Sequence, residues 1–524
     1  MQTHPSRLAV AARLHGLDPA PVEHCRVLEI GTAVGANIIP MAETLPQSEF
    51  VGIDRSAREI ASAREGLAAT GIANVRFECM DLRDLDDTFG KFDYIIAHGI
   101  YSWIPFDVRE RLMQVCKERL APKGVCYVSY NTYPGWYRLR AIREALLYRM
   151  RDAVGSQEKL ESAFRFLDLI TTLGENGGGH DLSSLDWFQA RLQESSSLGG
   201  ASAFAFLFHD ELAEINEPVY FHEFVEHAER HGLQYLCEAT LSAPPSSVHG
   251  DRLQEIDSFS RDHIDAEQYL DHALNRMFRM SLLCHEEDEI PRPVRPRSGL
   301  LVGLGVNTRC ARLPTRIGDE ERGIVRYGLP DGAEIASNHP VSIAAFENLS
   351  RDSPKIVPYT ELFEEARVRA GAVDSADDRE RDEIALTANL LLASARRKDL
   401  ATLWAYAPPV AMGAGERPRA LPYARFAAAS GERNITTLRH ERAEIPALGM
   451  AILPSMDGAH DRPALLAVLE GFVRDGTLSP PDGVPEGETP PSLARLLDEL
   501  LDTLAGFGLF ALDESQPSTP VSRA

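Results

Sequence analysis

Basic residues are scarce in this chain, and the shortage limits what the protein can bind. Its 524 residues include 54 Lys and Arg against 78 Asp and Glu, which gives a formal net charge of −24. A surface with this excess of acid repels phosphate backbones. Nucleic acid is therefore not expected as a partner, and a basic substrate such as a lysine-bearing protein suits the charge better.

Cysteine pairs and long apolar runs are missing as well. The seven cysteines are odd in number, and no Cys-x-x-Cys motif occurs. Most of them lie in apolar segments, where cysteine acts as a small core residue, so we expect a reducing compartment. No stretch approaches the roughly 18 apolar residues of a membrane span, and residues 1–13 lack the apolar core of a secretory leader. A cytoplasmic protein without membrane insertion is expected.

Apolar strands and amphipathic helices alternate near the start of the chain. This alternation is typical of a parallel, doubly wound α/β sheet, and the chain is long enough for two to four domains. The predicted strands are 26–30, 50–54, 75–81, 92–97 and 125–130, with a helix over 56–69 and a turn at 121–124.

Two later segments, 233–239 and 278–285, are predicted to form the final strand pair of the same sheet. The segment 291–297 alternates proline and arginine and supports neither a helix nor a strand ladder, so it predicts a domain boundary. The predicted domains are 1–290, a mixed α/β domain over 298–375 with a hairpin near 329–332, and a mainly helical domain over 380–524.

Residues suited to ligand binding follow each of the first five predicted strands. They are Gly31, Asp54, Asp81, His98 and Asn131. Ligands of open α/β sheets bind beyond the carboxyl ends of the strands, so these five residues are expected to lie close together.

The first loop, Glu29-x-Gly31-x-Ala33-x-Gly35, resembles the Glu-x-Gly-x-Gly-x-Gly loop of class I S-adenosylmethionine (AdoMet) methyltransferases. Glycines at such a turn let the backbone approach a ligand. A dinucleotide-binding fingerprint has a different glycine spacing.

The same resemblance assigns roles to two acids. In that family, an acid that ends strand two binds the ribose hydroxyls and an acid after strand three binds the adenine amine; Asp54 and Asp81 match them. Helix capping or solvation is the alternative role of these two residues. The resemblance implies AdoMet as cofactor and a cofactor site formed by Glu29, Gly31, Ala33, Gly35, Asn37, Asp54, Arg55, Met80, Asp81, Leu82, Ala97 and His98.

A longer resemblance covers 92–103, 127–136, 216–224 and 279–285, and more weakly 437–441. These segments are similar to methyltransferases that carry a methyltransferase regulatory domain. That family includes rickettsial enzymes that methylate lysines of outer-membrane proteins.

This resemblance implies a particular architecture and a particular kind of partner. The architecture is a seven-stranded, Rossmann-like class I methyltransferase sheet with helical insertions, followed by smaller mixed and mainly helical C-terminal domains. The implied partner is a protein substrate bearing lysines, and a homodimer is possible. Within 1–290 the resemblance implies core strands over 25–131, a helical insertion over about 137–215 and a regulatory segment over about 216–290.

Ala33 departs from the family pattern, which has glycine at this position. Its methyl group lies where the backbone passes the cofactor, and a positive φ would be strained there. The substitution either weakens AdoMet binding or only shifts the loop, so a non-catalytic relative is an alternative.

Aromatic residues follow the fourth and fifth strands, where the resemblance places the methyl acceptor. Methyl transfer from a sulfonium is an in-line displacement that depends on alignment and desolvation, and aromatic faces stabilise cations. A histidine or a tyrosine hydroxyl is a plausible proton acceptor, while packing beneath a helix is the alternative role of each aromatic residue. The candidate catalytic residues are His98, Tyr101, Trp103, Asn131, Tyr133 and Trp136, with Tyr130 beside them.

The segment from His222 to His227 superficially resembles a zinc-protease motif. Its two histidines are five residues apart rather than four, so they would not share a helix face as zinc ligands do. No metal is expected, and His222 and Glu223 are expected to order a loop.

Three functions remain open from the sequence. The first is AdoMet-dependent methylation of an amine, most readily a protein lysine. The second is N- or O-methylation of a small metabolite, and the third is cofactor binding without turnover.

Overall fold

Seven strands between residues 26 and 285 form one mixed sheet. The computed structural model describes residues 2–176, 212–241, 255–256, 258–292, 295–373, 375–476 and 491–512. The strands are β1 (Arg26–Ile30), β2 (Glu49–Asp54), β3 (Val75–Cys79), β4 (Phe92–Ala97), β5 (Leu120–Asn131), β6 (Leu233–Glu238) and β7 (Phe278–His285).

The order of these strands is β3-β2-β1-β4-β5-β7-β6. Strands β1 to β5 pair in parallel, whereas β7 is antiparallel to both β5 and β6. The predicted class I methyltransferase sheet is therefore confirmed, with a final pair that runs antiparallel. The carboxyl ends of β1 to β5 meet at one edge.

Helices cover both faces because successive side chains of a strand point to opposite sides. Val27 packs in a core with the helices Pro5–Leu14, Ile38–Thr44 and Ala57–Thr70, while the neighbouring Leu28 packs in a second core with Phe106–Arg119 and Phe221–Arg230. The helices are α1 (Pro5–Leu14), α2 (Ile38–Thr44), α3 (Ala57–Thr70), α4 (Phe106–Arg119), α5 (Trp136–Met150), α6 (Ser156–Asn176), α7 (Phe221–Arg230) and α8 (His263–Leu274).

Two strand boundaries differ from the sequence prediction by more than one residue. Strand β3 ends at Cys79, because the Asp81 side chain accepts a hydrogen bond from the Arg83 backbone and begins a short 3₁₀ turn. Strand β5 begins at Leu120, so the predicted turn at 121–124 is instead an irregularity within the strand, with Lys123 at φ 59°.

The C-terminal half contains three small sheets and further helices. The predicted hairpin near 329–332 joins β10 to β11, and β13 pairs with β8. The strands are β8 (Gly305–Asn307), β9 (Ala311–Arg312), β10 (Val325–Gly328), β11 (Glu334–Ser337), β12 (Val357–Pro358), β13 (Thr402–Trp404), β14 (Asn434–Thr436) and β15 (Arg442–Glu444). The helices are α9 (Pro340–Asp352), α10 (Tyr359–Ala370), α11 (Ala376–Arg396), α12 (Pro422–Ala429), α13 (Ala447–Ile452), α14 (Arg462–Arg474) and α15 (Pro491–Phe507).

The N-terminal helix α1 packs against the C-terminal half. Leu8 shares an apolar core with Leu301 and Leu403, and the Arg7 guanidinium lies 4.4 Å from the centroid of the Trp404 ring. The C-terminal half is thereby held against the α1–α3 face of the sheet.

Parts of the predicted domains lie outside the described residues. They are residue 1, 177–211 in the expected helical insertion, 242–254 and 257 in the expected regulatory segment, 293–294 in the expected linker, 374 in the expected mixed domain, and 477–490 and 513–524 in the expected C-terminal domain. Within the described residues, every helix is too short or too polar to cross a bilayer.

Candidate active site

The loop between β1 and α2 contains two glycines with left-handed backbone. Gly31 has φ 73° and Gly35 has φ 75°, a region that residues with a Cβ rarely occupy. Space is restricted too, because a Cβ on Gly35 would lie 2.8 Å from Phe77 Cζ. The loop therefore requires glycine at both of these positions.

Ala33 has a left-handed backbone with φ 46°, the conformation that would strain a residue with a Cβ at this position. Its N–H donates to Asp54 Oδ2 at 3.0 Å, while Asp54 Oδ1 accepts from the Ser56 N–H at 2.8 Å. Left-handed backbone at a residue other than glycine costs about 1–2 kcal/mol. A hydrogen bond to a charged acceptor contributes about 1.5 kcal/mol, which offsets much of that strain.

Glu29 lies buried beneath the loop at the end of β1. One carboxylate oxygen accepts from Thr32 Oγ1 at 2.8 Å, and the other accepts from Asn37 Nδ2. Burial raises the pKa of Glu29 to about 7, assisted by the charge of Asp54 and opposed by the two hydrogen bonds. Glu29 therefore shapes the loop from below.

Asn37 connects this loop to the N-terminal region and to the C-terminal half of the chain. Its Oδ1 accepts from Thr3 Oγ1 and from His440 Nε2, each at 2.9 Å, while its Nδ2 donates to Glu29. These partners fix the orientation of the Asn37 amide. His440 reaches it from the turn between β14 and β15 and itself has a positive φ of 55°.

A cavity of about 270 Å³ opens at the carboxyl ends of β1, β2 and β3. Asp54 and Asp81 provide carboxylates, and the apolar side of the cavity includes Met80, Ile100 and Val108. This combination suits a flat apolar ring system that carries polar groups at its edge.

Asp81 is paired with Arg83 in two places. Its Oδ1 accepts from Arg83 Nε at 3.0 Å, and its Oδ2 accepts from the terminal guanidinium nitrogen at 2.9 Å. These hydrogen bonds lower the pKa of Asp81 to about 2. A carboxylate has about four acceptor positions, so the pairing leaves room for a ligand amine.

His98 stands at the carboxyl end of β4, enclosed on one side and open to solvent on the other. Its Nδ1 lies 3.0 Å from both Tyr127 Oη and Ser129 Oγ, and Phe278 approaches the ring edge-on at 6.4 Å. The enclosure lowers the pKa of His98 to about 4, and the charge of Arg442 adds to this effect. The ring is therefore neutral near pH 7, with Nε2 left for a ligand.

Tyr101 and Tyr130 lie in the apolar core rather than on an open surface. Tyr130 is fully buried and stacks on Phe224 at 4.1 Å, and the Tyr101 hydroxyl lies 2.8 Å from His227 Nδ1. These two residues therefore do not join the other aromatic residues at the predicted site of the methyl acceptor. Trp103, which follows Tyr101 in the same 3₁₀ turn, is half-buried.

Tyr133 and Trp136 lie beyond β5 in a separate apolar cluster. Tyr133 stacks on Tyr137 at 4.2 Å and its hydroxyl accepts from Arg140, while Trp136 is buried at the start of α5. Asn131, also buried, donates from Nδ2 to Asn216 Oδ1 at 3.0 Å and so binds the following segment. The candidate catalytic residues therefore divide between the core, this cluster and the open ring of His98.

Three family models match successive parts of the chain. A methyltransferase domain matches residues 27–124, a "predicted methyltransferase regulatory domain" matches 203–285, and a "PKMT, C-terminal winged helix domain" matches 416–509.

Two rickettsial proteins are similar in sequence. The uncharacterized protein RP028 of Rickettsia prowazekii is 35% identical over 228 residues, which cover 44% of this chain and 88% of RP028. The chain belongs to the class I AdoMet-dependent methyltransferases with a methyltransferase regulatory domain. The uncharacterized protein RP789 of the same organism is 36% identical over 298 residues, which cover 56% of this chain but only about half of RP789, 52%.

One solved structure matches this methyltransferase over nearly its full length. It is PKMT2 from Rickettsia typhi in complex with AdoHcy, at 25% identity and a TM-score of 0.78, and the match covers 97% of this chain and 98% of PKMT2. The AdoMet cofactor inferred from the loop agrees with these relatives.

The residues that the sequence predicts for the cofactor site of this methyltransferase lie at four positions. Gly31, Asp54, Arg55, Met80, Asp81 and Leu82 line the cavity. Ala33 and Gly35 form the turn of the loop, whereas Glu29 and Asn37 support it from behind. Ala97 is buried at the end of β4, immediately before His98.

Sequence reasoning did not identify Thr3 and His440 as parts of the loop. His440 lies in the segment 437–441, which resembles the tail of related proteins, but no spacing rule connects it to Asn37. Ile100 and Val108 were missed as well, because an apolar residue of a binding wall looks the same in sequence as a core residue.

Ala33→Gly should stabilise the methyltransferase without loss of AdoHcy binding. Glycine relieves the left-handed strain, and the expected gain in unfolding free energy is about 0.5–1 kcal/mol after its greater unfolded-state entropy is counted. Chemical denaturation would measure this gain, with Ala36→Gly as the control, since Ala36 has no positive φ. A lower stability of Ala33→Gly than of Ala36→Gly would contradict this account of the loop.

Asp54→Ala should weaken AdoHcy binding by about 100-fold, because it removes the carboxylate predicted to bind the ribose hydroxyls and also the hydrogen bond that holds the Ala33 N–H in the loop. Isothermal titration calorimetry would measure the affinity. The control is Asp84→Ala, which removes an exposed carboxylate close to Asp81 in sequence. This variant should bind AdoHcy as the wild type does. Equal affinities of wild type and Asp54→Ala would remove Asp54 from the site.

Proposed function

We propose that this protein transfers the methyl group of AdoMet to lysine side chains of a protein substrate. The observation that carries the proposal is the match to PKMT2 over 97% of the chain, together with the match of residues 416–509 to a PKMT C-terminal domain. PKMT abbreviates protein lysine methyltransferase. The formal charge of −24 supports a cationic acceptor.

The described residues fit AdoMet on chemical grounds. The loop from Gly31 to Gly35 would lie against the methionine end, Asp54 would bind the ribose hydroxyls, and Asp81 would bind the adenine amine beside Met80 and Leu82. The cavity of about 270 Å³ has both the carboxylates and the apolar walls that these roles require. When bound, AdoMet supplies an electrophilic methyl group on a sulfonium.

His98 is better suited to positioning the acceptor than to removing its proton. Its pKa of about 4 lies far below that of a lysine ammonium, so His98 is a weak acceptor for the proton of the amine. The Ser129 hydroxyl accepts from the Gly99 N–H and can donate to His98 Nδ1, which favours a hydrogen on Nε2. We therefore assign His98 the role of a hydrogen-bond donor to the acceptor amine. Water would remove the proton of the amine.

The C-terminal half would recruit the protein substrate. It approaches the candidate site through His440, which bonds to Asn37, and through the charge of Arg442 near His98. We also infer that the chain divides into domains at 1–290, 298–375 and 380–524. A cytoplasmic location is inferred as well, because all seven cysteines are free.

Incubation with methyl-labelled AdoMet should label lysines of a bacterial protein mixture. The matched control is the same mixture with its lysine amines blocked by acetylation, which leaves other nucleophiles in place. Scintillation counting of precipitated protein should give label with the first mixture and background with the second. Equal labelling of both mixtures, or label confined to the small-molecule fraction, would overturn the lysine assignment.

The pH dependence should follow the acceptor amine. We expect kcat/KM to rise about tenfold per pH unit from about pH 7 towards the amine pKa, since only the neutral amine attacks and His98 is neutral throughout this range. His98→Asn should lower kcat by less than the roughly 100-fold loss of a general base, with the profile unchanged in shape. A decrease in kcat/KM below about pH 6.5 that disappears in His98→Asn would instead identify His98 as the base.

A further inference from the structure

Three potential metal ligands meet between α4 and the end of α7. Glu110 belongs to α4, His227 lies in the last turn of α7, and His231 follows that helix directly. His227 Nε2 lies 3.0 Å from Glu110 Oε1, and His231 Nε2 lies 3.0 Å from Glu110 Oε2. The three ligand atoms all lie within 4.8 Å of one another. Ligand atoms around a tetrahedral zinc ion are separated by about 3.3 Å, so small side-chain movements would suffice.

The buried nitrogen of His227 is suited to binding a ligand. The side chain is 4% exposed, and Nε2 has no hydrogen-bond partner among the described residues. Its approach to Glu110 therefore has the distance of a hydrogen bond without its geometry. Nε2 points in the same direction in both tautomers, because its lone pair and its N–H lie along one axis. It is therefore aimed beside Glu110 Oε1 rather than at it. Such a buried orphan is costly unless another group occupies the direction in which it points.

The opposite nitrogen of His227 is held as it is in metal sites. Tyr101 Oη lies 2.8 Å from His227 Nδ1, and the Phe106 ring stacks on the imidazole at 6.3 Å. Metal-binding histidines commonly bond through their second nitrogen to a polar group, which fixes the tautomer and the ring orientation. Tyr101, a sequence candidate for catalysis, is placed here as a supporting residue.

Positive groups also face this cluster. The Arg230 guanidinium lies 3.9 Å from Glu110 Oε1 but is largely exposed, and Arg109 packs its guanidinium over the Tyr101 ring at 5.0 Å. Within the described residues, the Arg109 guanidinium donates to Ile104, Ser102 and Glu217 instead of Glu110, and Arg230 lies beyond hydrogen-bond distance, so the Glu110 oxygens are left to the two histidines. The exposed charge of Arg230 is screened by solvent.

We propose that Glu110, His227 and His231 bind a divalent transition-metal ion, with Zn²⁺ the best match to two imidazoles and one carboxylate. Water would complete the four-coordinate shell. The ligands join residue 110, within the matched methyltransferase domain, to residues 227 and 231, within the matched regulatory domain. The metal therefore fastens the regulatory segment to the catalytic sheet. His227 and His231 are four residues apart, a spacing that His222 and His227 lack.

The test uses the full-length protein without a histidine tag, stripped with EDTA and dialysed against zinc chloride. Mass spectrometry of the metal content should give about one zinc per chain, and thermal unfolding should shift upward by a few degrees. His231→Gln and Glu110→Gln should each lose the zinc and the thermal shift. Tyr101→Phe should bind more weakly by about 10- to 100-fold, as expected for a supporting partner.

The matched control is His222→Ala, which removes a histidine from the same helix but not from the cluster. It should bind zinc as the wild type does. Should the ligand variants fail to fold, Co²⁺ added to the stripped wild type decides the question, because a site with histidine and carboxylate ligands gives visible absorption bands. Absence of those bands, or a zinc content in His231→Gln and Glu110→Gln equal to that of the wild type, would overturn the proposal.

Discussion

The hydrogen bonds of the half-buried Asn37 are the interaction on which the architecture of the site depends. One small amide joins the Glu29 carboxylate beneath the glycine loop to Thr3 and to His440. A buried polar group without partners destabilises a fold by about 1–3 kcal/mol, so each member of this set requires the others. The loop that faces the cofactor cavity is consequently defined by the catalytic sheet, the N-terminal helix region and the C-terminal hairpin together.

The first half of the fold could be predicted because its determinants are local. Apolar strands, Ser56 at the start of α3 and Gly71 at its end specify elements from neighbouring residues. The positions of Gly31, Asp54 and Asp81 followed, since parallel strands end at one edge. The antiparallel direction of β7 could not be predicted in this way, because it depends on the path of the chain through the insertions before it.

The aromatic residues illustrate what one sequence cannot distinguish. Tyr101 and Tyr133 both follow strand ends, yet one supports a core histidine and the other stacks in a separate cluster. A tyrosine has an apolar body and a polar tip, so either a core or a cleft satisfies it. The choice depends on α7 and α5, whose packing becomes visible only in three dimensions. His440 was unpredictable for a related reason, because its partner is remote in sequence.

Remote partners also have a consequence for synthesis. Asn37 and His440 are separated by 403 residues. At about 5–20 residues per second, a ribosome needs about 20–80 seconds to make the chain between them. The sheet edge of the candidate site is therefore translated well before the residue that completes its hydrogen bonds. During that interval the nascent glycine loop lacks one of its partners, and a chain that stops short of the C-terminal hairpin never acquires it.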